Sequence, residues 1–156
     1  FMSHDEIRIV GWCALCSARH RTAGQLLADN VRRCVEIIRE ESPSAHIAVW
    51  SDMFDPYHNA RDNYYFAKGT LAGSWEGLPR DVIIANWNYN KRAESLKWFS
   101  DRGHPQVIAG YYDRPVTDVA LWQTAMKGVP GIEGMMYTTW VRKYDDLEAF
   151  ARAAWD

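Results

Sequence analysis

The chain has 156 residues, 47% hydrophobic and 24% charged, the make-up of one globular domain around a single core. Eighteen Lys and Arg stand against 20 Asp and Glu, and the net charge of −2 comes with no long run of either sign, which argues against nucleic acid or an anionic membrane as partner. No apolar stretch approaches the roughly 18 residues that cross a bilayer, so the chain reads as soluble; its cellular site stays open, because a signal peptide would lie upstream of Phe1.

Phe1-Met2-Ser3 reads as the tail of a strand, with Asp5 and Glu6 in the loop after it. Cys13-Ala-Leu-Cys16 has the spacing of redox and zinc sites, but with Cys34 the cysteines are odd in number and too few for a disulfide framework, and no second Cys pair or His-x-His cluster accompanies the motif. A structural or incidental role follows. Thr22-Ala-Gly-Gln25 is a capping box, and Leu27, Val31, Cys34, Val35 and Ile38 then recur on one face of a helix closed by Glu40, Glu41 and Ser42-Pro43.

His46 to Trp50 is a short strand of the buried kind. A long polar and aromatic connection follows, in which Tyr64-Tyr65 and Trp75-Glu76-Gly77 read as loop packing. Val82 to Asn86 is the next strand, ending at Trp87, and a helix over about residues 91 to 102 turns Leu96 and Phe99 inward. Gln106 to Gly110 forms a third strand running into Tyr111-Tyr112-Asp113. Pro115 and Thr117 start a helix that ends near Lys127-Gly128, Ile132 to Tyr137 is a fourth strand, and Asp145 or Asp146 caps a last helix carrying Leu147, Phe150, Ala151 and Ala154.

Repetition of strand and helix predicts an α/β fold with four to five parallel β-α units, either half of a (β/α)₈ TIM barrel or an open doubly wound sheet. No G-x-G-x-x-G or G-x-x-x-x-G-K-[ST] follows any strand, which removes the best evidence for a nucleotide cofactor, and no cofactor is expected. The side chains just past the strands are Asp5 and Glu6; Trp50 and Asp52; Trp87 and Asn88; Tyr111, Tyr112 and Asp113; Tyr137 and Trp140. Sugar rings offer C–H faces to aromatic planes and hydroxyls to carboxylates and amides, so this recurrence points to a carbohydrate site, although eight Trp and eight Tyr also suit a large core. A metal site built from His4, Asp5, His58 or Asp113 matches no ligand spacing.

Five segments in order resemble glycoside hydrolase family 20, the β-N-acetylhexosaminidases: Ser3-His4-Asp5-Glu6, His46 to Met53, Leu78 to Trp87, Val107 to Asp113 and Gly134 to Trp140. The resemblance implies the C-terminal half of the family's barrel and substrate-assisted, retaining hydrolysis of terminal N-acetylhexosaminides. Glu6 would be the general acid in a poorly solvated setting, Asp5 would orient the substrate's 2-acetamido group and Tyr111 would hydrogen-bond its oxygen. Trp50, Trp87 and Trp140 would line the pocket, Asp113 would hold a hydroxyl, and Asp52, Asn88, Tyr112, Tyr137 and Arg142 complete the expected sugar-binding set.

The chain departs from the family pattern in three ways. A Gly pair does not precede Asp5-Glu6, Arg142 stands where the family has an acid, and the N-terminal half-barrel with its substrate-gripping arginine is missing. A non-catalytic carbohydrate-binding or structural half-barrel is therefore the alternative. A half-barrel also leaves strand edges and an apolar interior open, so self-association or pairing with an N-terminal half-barrel is expected.

Overall fold

The structure, a computed structural model, describes residues 1–64 and 66–155; Tyr65, read above as loop packing, lies outside them. A short helix α1 (Ala14–Ala18) precedes the long α2 (Ala23–Glu41), and the strands β1 (Ala48–Trp50), β2 (Ile83–Asn86), β3 (Gln106–Ile108) and β4 (Ile132–Met135) follow. Between them stand α3 (Arg92–Asp101) and α4 (Val119–Met126), and α5 (Leu147–Trp155) comes last. The strands form one parallel sheet in the order β1-β2-β3-β4. Met2 adds one isolated parallel bridge to Val49, which is as much of a strand as Phe1-Met2-Ser3 forms.

The capping box forms as read. Thr22 Oγ1 accepts the Gln25 N–H and Gln25 Oε1 accepts the Thr22 N–H, both at 3.1 Å. Leu27, Val31 and Val35 of α2 are buried against Val49, Phe54 and Ile84. The short α1 was not foreseen; Cys13 caps it, its Sγ accepting the Cys16 N–H at 3.3 Å. That contact lowers the Cys13 thiol pKa and gives the C-x-x-C spacing a local structural role.

Helix α2 sits close to the segment before β2 because two glycines permit it. A Cβ on Gly77 would strike the backbone of Ala28, and one on Gly24 would strike the carbonyls of Leu71 and Ala72. Gly77→Ala is therefore expected to cost about 1–3 kcal/mol, since rigid backbone rather than a movable side chain stands in the way. An unchanged urea midpoint for that variant would contradict the close packing.

The sheet is covered unequally. Val49 and Ile84 pack into one cluster with α2 and Phe99, while Ile108 and Met135 pack into another with Leu96, Val119, Trp122 and Phe150. On the opposite face Ala85 and Ala109 are buried, whereas Ala48, Trp50, Ile83, Val107, Gly134 and Met136 are only partly buried and belong to neither cluster. Parallel sheets ordinarily have both faces covered, so this one presents an unusual amount of half-open apolar surface.

Candidate functional site: an aromatic and acidic cleft at the strand ends

In a parallel α/β sheet the loops at the C-terminal strand ends converge, and here they enclose a cleft of about 140 Å³. Asp5 and Glu6 come from the segment after the Met2 bridge, Trp50 from the end of β1, Trp87 from beyond β2, Tyr112 from beyond β3 and Trp140 from beyond β4. Trp87 and Tyr112 lie parallel, 5.8 Å apart with only 3° between their planes, and Tyr112 meets Trp140 at 5.5 Å. Two carboxylates thus face a wall of flat rings.

Asp52 supports this arrangement from beneath. It is wholly buried, and its carboxylate accepts the backbone N–H of Glu6 at 2.9 Å, Asn59 Nδ2 at 2.8 Å and Trp87 Nε1 at 3.3 Å. Burial pushes its carboxyl up to about 6 in spite of those three donors. Expected as a sugar contact, Asp52 instead positions one acid and one aromatic wall.

The segment around the acids is strained. His4 and Glu6 have φ of 56° and 43°, and Tyr112 and Asp113 have φ of 51° and 54°, a region that side-chain-bearing residues seldom occupy. Ser3 and His4 precede Asp5-Glu6 where the resemblance would put a glycine pair; of these two His4 takes the left-handed conformation, and Glu6, which shares it, is anchored through its N–H to Asp52. Strain of this order, about 1–3 kcal/mol per residue, persists only where surrounding contacts enforce it and tends to gather at functional sites.

Glu6 departs from its expected setting. Its side chain is 47% exposed and pairs with Arg8 at 3.2 Å, so the solvent-poor surroundings implied for a general acid are not built by the protein alone. A ligand filling the cleft would supply the missing cover.

Tyr111 and Tyr137 stand away from the cleft. They stack on each other at 4.4 Å within the α5 cluster, where Tyr111 Oη donates to Asp146 at 2.9 Å and Tyr137 Oη donates to the Lys143 carbonyl at 2.8 Å. Their role is to fasten the start of α5, and Tyr112 is the tyrosine that faces the acids. Asn88 is buried and donates to Asp55 at 2.9 Å. Asp113 accepts the N–H groups of Trp140 at 2.6 Å and Val141 at 3.3 Å, and the Thr139 hydroxyl together with these donors holds its carboxyl below the usual range. It ties two loops together and does not line the cleft, whereas Arg142 is exposed and lies outside it.

Ala109 and Thr138 line the cleft without having been foreseen. Thr138 Oγ1 accepts the Tyr112 N–H at 3.0 Å and donates to the Ala109 carbonyl at 3.2 Å, joining the loops after β3 and β4. Strand alternation held the signal: Met135 and Tyr137 face the helices, so Thr138 must face the other way. His4 contacts Asn30 at 3.0 Å while His58 packs on Trp87 at 4.5 Å, and no group of His, Cys, Asp and Glu able to hold a metal exists among the described residues.

Fold and site together define an α/β protein with a parallel sheet and an aromatic, doubly acidic cleft at its C-terminal strand ends. The chain matches no protein-family model, no curated protein and no solved structure.

Proposed function

We propose that the chain carries the sugar-binding and acid-bearing side of a β-N-acetylhexosaminidase-like glycosidase, on the C-terminal half of a (β/α)₈ barrel. The observation that carries this reading is the convergence of Asp5 and Glu6 with Trp50, Trp87, Tyr112 and Trp140 in one cleft. Aromatic planes suit the C–H faces of a pyranoside, and the paired acids suit its leaving oxygen and 2-acetamido group. The half-open sheet face and the site's position at the strand ends support the barrel.

In the proposed reaction the substrate's acetamido carbonyl oxygen attacks C1 as the bond from C1 to the glycosidic oxygen breaks, and Glu6 gives its proton to that departing oxygen. Asp5 receives the hydrogen bond of the acetamido N–H as the oxazolinium ring closes. Water then adds to C1 with Glu6 taking its proton, which restores the acetamide and retains configuration. In this reading Tyr112, which lines the cleft, takes the hydrogen-bonding role that the resemblance implies for Tyr111.

The exposure of Glu6 and its pairing with Arg8 favour a second reading, a carbohydrate-binding half-barrel without catalysis. Titration with N-acetylglucosamine is expected to quench Trp fluorescence under both readings, through Trp50, Trp87 and Trp140. Release of an aryl alcohol from its β-N-acetylglucosaminide belongs to the first alone, and a flat fluorescence titration would remove both.

The half-open face further implies association with more β-α units, in a second copy or in an N-terminal half-barrel. Sedimentation is expected to show concentration-dependent self-association of this chain. A single monomeric species up to high micromolar concentration would count against the half-barrel.

A further inference from the structure

A second, larger cleft of about 520 Å³ adjoins the first, and Trp87 and Tyr112 stand in the lining of both. Its character is different. Arg61, Lys91 and Arg114 line it, whereas among the described residues no carboxylate does. Lys91 is paired with Glu94 at 2.9 Å and Arg114 with Asp118 at 2.7 Å, but no ion pair engages Arg61 among the described residues. Arg114 also lies 3.7 Å over the Tyr89 ring, which fixes its guanidinium at the rim. His58, on the same wall, is kept neutral by burial and by Arg61, its pKa lowered to about 4, so the cleft's positive charge belongs to its permanent cations.

Resting on the sugar-site reading above, we infer that this second cleft is a subsite for an acidic sugar unit, carboxylated or sulfated, linked to the residue held in the first cleft. The shared Trp87 and Tyr112 walls would seat consecutive rings, and the Arg61 guanidinium would receive the oxyanion in a forked pair of hydrogen bonds. The preferred ligand is therefore an acidic glycan, not a neutral chitin-type chain.

Three ligands test this by Trp fluorescence and calorimetry: N,N′-diacetylchitobiose, a disaccharide of N-acetylglucosamine linked to glucuronic acid, and a chitobiose bearing one sulfate on its reducing-end sugar. At low salt at least one acidic ligand is expected to bind about tenfold more tightly than the neutral one, the gain expected of a charge-assisted hydrogen-bond pair. The two acidic ligands show which oxyanion is taken. Arg61→Ala should abolish the preference by weakening the acidic ligands more than the neutral one, and Arg61→Glu should reverse it. Equal binding of all three, or a preference that survives both variants, overturns the subsite while leaving the sugar cleft standing. Failure of all three to bind overturns the cleft as well.

Discussion

Replacing Glu6 with Gln is expected to lower turnover of a phenyl β-N-acetylglucosaminide by about 10²–10⁴-fold, the usual worth of a positioned proton donor. The amide keeps the shape of the side chain but has no proton of the needed acidity to give. A dinitrophenyl glycoside, whose leaving group departs without protonation, should lose much less in the bond-breaking step. That contrast separates a lost acid from a disturbed cleft, because a distorted site would slow both substrates alike. Sugar-induced Trp quenching should survive, since Trp50, Trp87 and Trp140 are untouched. Wild-type-like turnover by the variant would end the assignment of Glu6, and absence of turnover by the wild type with quenching intact would select the binding module.

The second large effect concerns Asp52 and pH. Because the folded protein holds Asp52's proton up to about pH 6, while a free aspartate side chain loses it near 3.8, folding takes up a proton between those limits. The stabilisation from this group is fully present below pH 3.8 and is lost as pH rises through 6. The stability of the wild type minus that of Asp52→Asn should therefore fall by about 3 kcal/mol from pH 3.5 to pH 7.5. Taking the difference between the two proteins cancels groups with the opposite trend, such as Asp118 and Asp146, whose carboxyls are lowered by Arg114 and Lys143. Urea unfolding at both pH values reads it directly, and a pH-independent difference would show that the buried carboxyl does not titrate as described. The same substitution places an amide N–H where Trp87 Nε1 needs an acceptor, so binding in the aromatic cleft should weaken at every pH.

Much of the site is legible in the sequence, and the exceptions share a cause. Trp50, Trp87 and Trp140 follow apolar runs, and the rule that ligands sit beyond parallel strand ends suffices to bring them together with Asp5 and Glu6. The choice between Tyr111 and Tyr112 needed the third dimension. Gly110 lies against Trp122, where a Cβ would collide with the indole, and the chain then turns through left-handed conformations at Tyr112 and Asp113. The alternation of a strand no longer holds there: Tyr111 packs into the core cluster and Tyr112 lines the cleft. Asp52 was misplaced for a similar reason: its burial comes from the 3-10 turn Asp52–Phe54, which folds the carboxylate beneath Glu6.

By itself the sequence determined the order of the strands and helices, the Thr22–Gln25 cap, the apolar face of α2 and the gathering of aromatic and acidic residues at strand ends. These are local properties, set by periodicity, capping chemistry and neighbours a few residues apart. Only the tertiary structure decided which face each ring takes, that Asp52 is a buried support, and that Arg61, Lys91 and Arg114 surround a second cleft. Those three cations come from loops after different strands. Their meeting depends on the sheet's register and the paths of the loops, which no single stretch of sequence encodes.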